Sequence, residues 1–312
     1  MIALRAISNT VIKDEKNILL ALLYFDIFNY PLTQHEIESF SPQAMEGNWQ
    51  SSLTSLSEKR MIHFIDGFYS LHNNDSLIIR RKAGNRLAEN KIKVAKRISK
   101  IISLFPFVRS VMLSGSISKG YMEKESDIDY FIITEEGRLW IVRGAMAFIR
   151  RLFFLNSHKY LCTNYFIDVT NLEIAEKNIF TAIEIATLKP MTGKSYALRF
   201  QQANMWHYDY LPNQHPARVT MNEPTTRTEW IAERIMKKNI LGRIDQWIMK
   251  KFISRWRSIQ QHQMNEKDFS IAFQSNEHVS RSHPEFYQKK VLSSYTSKIT
   301  EFEKRFSISL HE

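Results

Sequence analysis

The segment from Val108 to Ile133 constrains the fold more than any other. Val108-Arg109-Ser110-Val111-Met112-Leu113 is an apolar run with the length of a buried strand, and it gives way at once to Ser114-Gly115-Ser116-Ile117-Ser118-Lys119-Gly120. Ten residues separate Ser116 from Asp127-Ile128-Asp129, which leads into a second apolar run, Tyr130-Phe131-Ile132-Ile133. Alternation along this second strand places Asp127 and Asp129 on one face. Two carboxylates side by side repel unless a cation lies between them, so the pair asks for a hard divalent metal with oxygen ligands, magnesium above all. The small residues of the turn let backbone N–H groups approach an anion closely, and Ser116 and Ser118 add hydroxyl donors. A phosphate cradle beside a metal-binding carboxylate pair implies a nucleoside triphosphate.

The rest of the chain frames that segment. With 312 residues, of which 44% are hydrophobic and 12% aromatic, it can bury a real core and exceeds the usual single domain. Its longest apolar stretch, Ile18 to Phe25, is far below the roughly 18 residues of a membrane span, and Met1 to Ala6 lacks the order of a signal peptide. The single cysteine, Cys162, excludes an internal disulfide and a cysteine-based zinc ribbon. A cytoplasmic, reducing location is therefore expected. The net charge of +11 is uneven: residues 1–77 carry −4, 78–107 carry +8, 108–205 carry +2 and 206–312 carry +5. Such a surplus suits an anionic partner.

Residues 1–77 read as three helices and a hairpin. The first helix runs through Ile18, Leu19, Leu22 and Leu23 and breaks at Asn29-Tyr30-Pro31; the second restarts at Thr33, where Glu36 completes a capping box. The third, over 48–60, has its apolar face at Leu53 and Leu56, and Ile62 to Leu71 folds back at Asp66-Gly67. This order resembles a winged helix. Its third helix offers only Lys59 and Arg60 to a phosphate backbone, so protein packing is favoured over DNA binding. A long basic helix is expected over 78–104, with Leu87, Val94, Ile98 and Ile102 as its buried stripe and Pro106 as its stop.

Gly115-Ser116, the ten-residue spacer and Asp127-Ile128-Asp129 between two apolar strands resemble the signature of the DNA polymerase beta-like nucleotidyltransferase superfamily. Gly-Ser-x-Ser-x-Gly followed by Ser-Asp-Ile-Asp is especially similar to its minimal bacterial and archaeal members. The resemblance implies that Asp127 and Asp129 hold two magnesium ions, and that Gly115, Ser116 and Ser118 hold the triphosphate of an NTP, ATP foremost. It further implies in-line transfer of a nucleoside monophosphate to a hydroxyl with release of pyrophosphate. In that superfamily a third carboxylate on a neighbouring strand completes the site. The next strand pattern here, Tyr160 to Val169, contains one acid, Asp168. Alternation puts Asn164, Phe166 and Asp168 on one face, which leaves two readings open. Asp168 is the third catalytic and metal-binding carboxylate, or Asn164 stands nearest the metals as a polar substrate contact and Asp168 belongs to the strand's end. Lys119 either adds a cation at the phosphates or is a surface charge near Glu123 and Glu125; Glu173 and Glu184 read as solvated or ion-paired.

Other patterns carry less. Gly193-Lys194-Ser195 imitates a P-loop end without its first glycine. Arg257 with His262, and Ser280-Arg281-Ser282-His283-Pro284, are cheap motifs. Leu241, Ile244, Ile248, Phe252, Trp256 and Ile259 form an apolar helical stripe amid basic residues, read first as core packing and second as contact with anionic lipid or RNA. The resulting expectation is an α+β chain: a winged-helix-like module (1–77), a basic linker helix (78–107), a mixed-sheet nucleotidyltransferase core (108–205) and a helical C-terminal region (206–312). The expected activity is transfer to an RNA end, a protein side chain or a small molecule. The rival is an inactive nucleotide-binding regulator or adaptor.

Overall fold

A computed structural model describes residues 12–153, 155–214, 238–260, 275–281 and 287–310. The N-terminal segment forms α1 (Lys13–Asp26), α2 (Gln34–Phe40), α3 (Gln50–Glu58) and the hairpin β1 (His63–Ile65) and β2 (Phe68–Ser70). Thr33 caps α2 by accepting from the Glu36 N–H, and Glu36 returns the bond to the Thr33 N–H at 2.8 Å. Asp66 and Gly67 both take positive φ, the backbone that a two-residue hairpin turn demands. Ile18, Leu19 and Leu23 of α1 pack on Ile37, Leu53 and Leu56. Buried Glu15 ties α1 to α3, accepting from Lys59 Nζ at 2.7 Å and Ser55 Oγ at 2.6 Å.

The basic helix α4 spans Asp75–Ser103, with Asn74 as its N-cap. Its buried stripe differs from the apolar residues of the sequence pattern. Gly84, Ala88, Ala95 and Ser99 are buried with Ile102, whereas Leu87, Val94 and Ile98 are half-buried. Small side chains on that line let the helix axis approach closely: a Cβ on Gly84 would lie 2.2 Å from the Tyr121 ring. The first turns of α4 are also not an open cationic rail. Arg81 is buried, stacks 3.8 Å from the Tyr30 ring centre and pairs with Glu36 at 2.5 Å; Arg80 pairs with Glu123 and Lys82 with Asp66.

Past Pro106 the chain builds a five-stranded mixed sheet, ordered β6-β3-β4-β5-β7. The strands are β3 (Val108–Leu113), β4 (Asp129–Thr134), β5 (Cys162–Asp168), β6 (Lys189–Thr192) and β7 (Val279–Arg281). Only β4 and β5 are parallel, joined through α6 (Leu139–Phe153); the other pairs are antiparallel. Val111, Leu113, Tyr130 and Ile132 face one core with α4, α6 and α9 (Lys238–Gln260). Met112, Phe131 and Ile133 face the other with α7 (Ile179–Thr187) and α8 (Lys194–Ala203). The C-terminal third is not helical alone, because β7 extends the sheet. Its last helix, α10 (Tyr287–Phe306), packs on α1, with Lys298 on Asp26 at 2.6 Å and Tyr295 donating to the Leu20 carbonyl.

Gly193-Lys194-Ser195 is the start of α8 against β3: a Cβ on Gly193 would meet the Arg109 carbonyl at 1.9 Å, and no phosphate fits there. His262 and His283 lie outside the described residues. Among the described residues no helix is long and apolar enough to cross a membrane.

Candidate active site

The candidate site forms where β3 turns into β4. Ser114 donates to the Asp129 carbonyl at 3.1 Å, and Gly115 opens a single helical turn, α5 (Gly115–Ser118), at φ +66°. A Cβ on Gly115 would lie 2.6 Å from Asp129 Oδ2, so only glycine lets the carboxylate sit against the turn. The first N–H groups of such a turn have no partner within it and suit an anion. Ser116 borders a cavity of about 380 Å³ beside this turn. The Ser118 hydroxyl donates to the Gly115 carbonyl at 2.8 Å, and Ser118 is not among the residues that border this cavity. Lys119 reaches the same carbonyl at 3.2 Å and pairs with Glu184 at 2.8 Å, not with Glu123 or Glu125.

Asp129 is the first residue of β4, and Asp127 precedes the strand on an extended stretch that keeps pairing toward β5. Ile128 donates to the Lys159 carbonyl and accepts from the Cys162 N–H. Burial, with further repulsion from Asp127 and Glu184, pushes the Asp129 carboxyl up to about 7, against the opposing pull of the Cys162 thiol and Lys119.

β5 decides which polar group faces Asp129. Its register against β4 shifts between Tyr130 and Phe131, leaving Asn164 as the extra residue of a bulge. Asn164 Nδ2 donates to Asp129 Oδ1 at 2.8 Å, and its Oδ1 accepts from the Cys162 thiol at 3.2 Å. Simple alternation fails here: Phe166 points into the α4/α6 core, while Asn164 and Tyr165 line the opposite side with Phe131. Asp168 is accordingly removed from the site. It pairs with Thr134 at the far end of β4, whereas Asp129 pairs with Cys162. Asp168 is fully buried and accepts from Thr170 N–H and Oγ1 at 2.9 and 2.6 Å and from His278 Nδ1 at 2.7 Å, so it anchors β7 and holds no metal with Asp127 and Asp129.

Several site residues escaped the sequence reading. His158 and Cys162 bring ligand atoms within 4.8 Å of one another and of Asp127, a set that could hold a metal ion. Arg150 donates to His158 Nδ1 at 3.2 Å from the end of α6. A second, apolar cavity of about 160 Å³ opens on Asp129 and Asn164, floored by the stacked rings of Phe131 and Tyr165 and edged by Arg281 of β7. Gly115, Glu184 and Tyr287 border both cavities. The wall of the larger one comes from the N-terminal module, with Tyr24, Phe28 and Tyr30, and from Arg80 of α4. The Gly-Ser turn was visible because its residues adjoin in sequence; Glu184 and Tyr287 arrive from helices that carry no signal of their own.

The model of the nucleotidyltransferase domain family matches residues 94–190, from within α4 to the edge strand β6. No curated protein and no solved structure matches the chain. The matched segment contains the strand, Gly-Ser turn and paired aspartates whose geometry is described above. This match over residues 94–190 supports a nucleotidyltransferase domain of the DNA polymerase beta-like superfamily.

Proposed function

We propose that the protein is a magnesium-dependent nucleotidyltransferase that moves a nucleoside monophosphate from an NTP, ATP foremost, to a hydroxyl acceptor with release of pyrophosphate. The observation that carries this reading is the half-buried Asp129 carboxyl packed on Gly115 and within the field of Asp127. Asp127 and Asp129 would hold magnesium, which supplies Lewis-acid activation of the acceptor and neutralises charge on the leaving pyrophosphate. The Gly115–Ser116 backbone and the Ser116 hydroxyl cradle the triphosphate in the larger cavity. Lys119 and Arg80 border that cavity, each ion-paired with a carboxylate of the same lining, Glu184 and Glu123, and the aromatic wall of the module receives the base. Asn164 fixes the orientation of Asp129 through its 2.8 Å bond.

The acceptor enters through the apolar cavity, whose size and ring-lined floor suit a hydroxyl on a compact apolar body, a small molecule or a protein side chain, better than an RNA end. Asn164 takes no proton, so proton removal from the acceptor falls to Glu184, the carboxylate that borders both cavities. The winged-helix-like module serves as a wall of the nucleotide cavity and not as a DNA reader. Lys59 of its third helix is already spent on Glu15, which supports this role. A cytoplasmic setting supplies the NTP and keeps Cys162 reduced.

The second reading, a nucleotide-binding adaptor without turnover, is favoured by Asn164 standing where the superfamily places a third carboxylate. Incubation with each alpha-labelled NTP, magnesium and fractionated cell extract separates the two, with Asp127→Ala/Asp129→Ala as control. Transfer of label that the control loses supports the enzyme. Magnesium-dependent NTP binding with no label in any fraction supports the adaptor.

A further inference from the structure

Helix α9 has two apolar stripes. Leu241, Ile248, Phe252 and Trp256 pack on α6, where Ile248 meets Gly144 and Phe252 and Trp256 meet Trp140. Ile244 and Ile259, assigned to that stripe by periodicity, point outward instead. Ile240, Ile244 and Trp247 form the second stripe, exposed at helical spacing; Trp247 is 61% exposed. The stripe runs on into Lys251, 5.7 Å from the Trp247 ring centre, and Arg255. There it meets the end of α6, where Phe148, Leu152, Phe153 (71% exposed) and Leu155 (92% exposed) project. A concavity of about 410 Å³ joins the two, lined by Phe148, Arg150, Arg151, Lys251 and Arg255.

The charge of these segments is almost all of one sign. Residues 139–160 and 238–260 contain ten Lys and Arg, of which Arg143 is buried and Lys159 pairs with Glu125, and one acid, Asp245, which is buried and accepts the Ile141 N–H at 2.8 Å. Among the described residues, Arg151, Lys250, Lys251 and Arg255 have no carboxylate partner. Aliphatic side chains gain little from RNA, which is bound by cations and stacked rings, and a protein interface core is depleted in lysine. Exposed leucine, isoleucine, phenylalanine and tryptophan interleaved with unpaired cations match an anionic bilayer interface, where the apolar groups enter the acyl boundary and the cations meet headgroups.

We infer that this face docks on an anionic lipid surface, α9 lying along the interface and the tip of α6 inserting beside it. Arg150 of the face bonds His158, which adjoins Asp127, so docking brings the edge of the candidate site to the membrane. The inference is independent of turnover, because its readout is binding.

The test is flotation of the full chain with phosphatidylcholine vesicles, alone or with about 30% phosphatidylglycerol, at about 0.05 M and about 0.5 M salt. Phe153→Ser/Leu155→Ser and Arg151→Gln/Lys251→Gln/Arg255→Gln run beside it, and circular dichroism checks that each variant is folded. The expected result is at least about a tenfold rise in bound fraction with anionic lipid, reduced by salt and lost in both folded variants. Absence of binding to anionic vesicles overturns the inference, as does binding that both variants retain. So does tight binding of a single-stranded RNA that survives Phe153→Ser/Leu155→Ser and that vesicles do not displace.

Discussion

The two ends of β5 treat a neighbouring carboxyl in opposite ways. At the far end Asp168 is fully buried yet saturated: two bonds from Thr170, one from His278, and its own N–H given to the His278 carbonyl. At the near end Asp129 has one side-chain amide donor, Asn164, and two like charges for neighbours, Asp127 and Glu184. A saturated carboxylate is a fastening for the fold. An undersupplied one, next to a turn with free N–H groups, is a place where a cation and a phosphate lower the energy. The identity of the residue is the same at both ends; its hydrogen-bond supply sets its use.

Substituting at each end should split activity from stability. Asp129→Ala should cost transfer at least about a thousandfold, roughly 4 kcal/mol of transition-state stabilisation, while leaving the melting temperature equal or higher, because its repulsion with Asp127 and Glu184 is removed. Single-turnover assays and calorimetry on one preparation check both halves. A large fall in melting temperature would erase the contrast. Glu184→Gln should lower kcat about a hundredfold with KM for the NTP little changed. A rise in KM alone would instead make Glu184 a clamp on Lys119.

Asp168→Ala should leave transfer within a few fold and cost about 2 kcal/mol of stability, since three donors lose their acceptor; His278 is partly exposed, which limits the loss. Denaturant titration of the variant gives the number. The same end predicts a pH effect. Bonding to Asp168 raises the His278 pKa, so its contribution is complete below the unfolded value of about 6.5 and is lost as pH rises through the folded one. His278→Asn should remove that slope in a melting series.

The smallest effect concerns Asp245, whose carboxyl burial pushes up to about 6 although it caps α6. The folded state holds this proton more tightly than the unfolded chain, so stability from this group falls as pH rises from about 4 to about 6. Asp245→Asn keeps an acceptor for Ile141 and sheds the charge. It should gain about 1 kcal/mol at pH 7.5, a rise of about 2 °C, and nothing at pH 4.

Local rules carried the reading far in some places. The Thr33/Glu36 capping box, the Asp66-Gly67 turn and the strand–turn–strand around Gly115 all form as their residues dictate, since each is closed by groups a few positions apart. The stripe of α4 was misjudged because burial there follows axial approach, which selects Gly84 and Ala88 over Leu87. Asp168 was misplaced for a different reason. One extra residue in β5 moves every later side chain to the other face, and no local pattern announces the bulge at Asn164.

By itself the sequence determined the α+β class and the Gly-Ser turn between two strands, because short-range sterics and alternation act within a few residues. Tertiary structure alone decided that Asn164 and not Asp168 faces Asp129, that Glu184 and Tyr287 border the cavities, and that α9 turns a second apolar stripe outward. Those outcomes depend on register and helix packing between segments up to more than a hundred residues apart, and they are fixed only when the whole sheet and its layers close together.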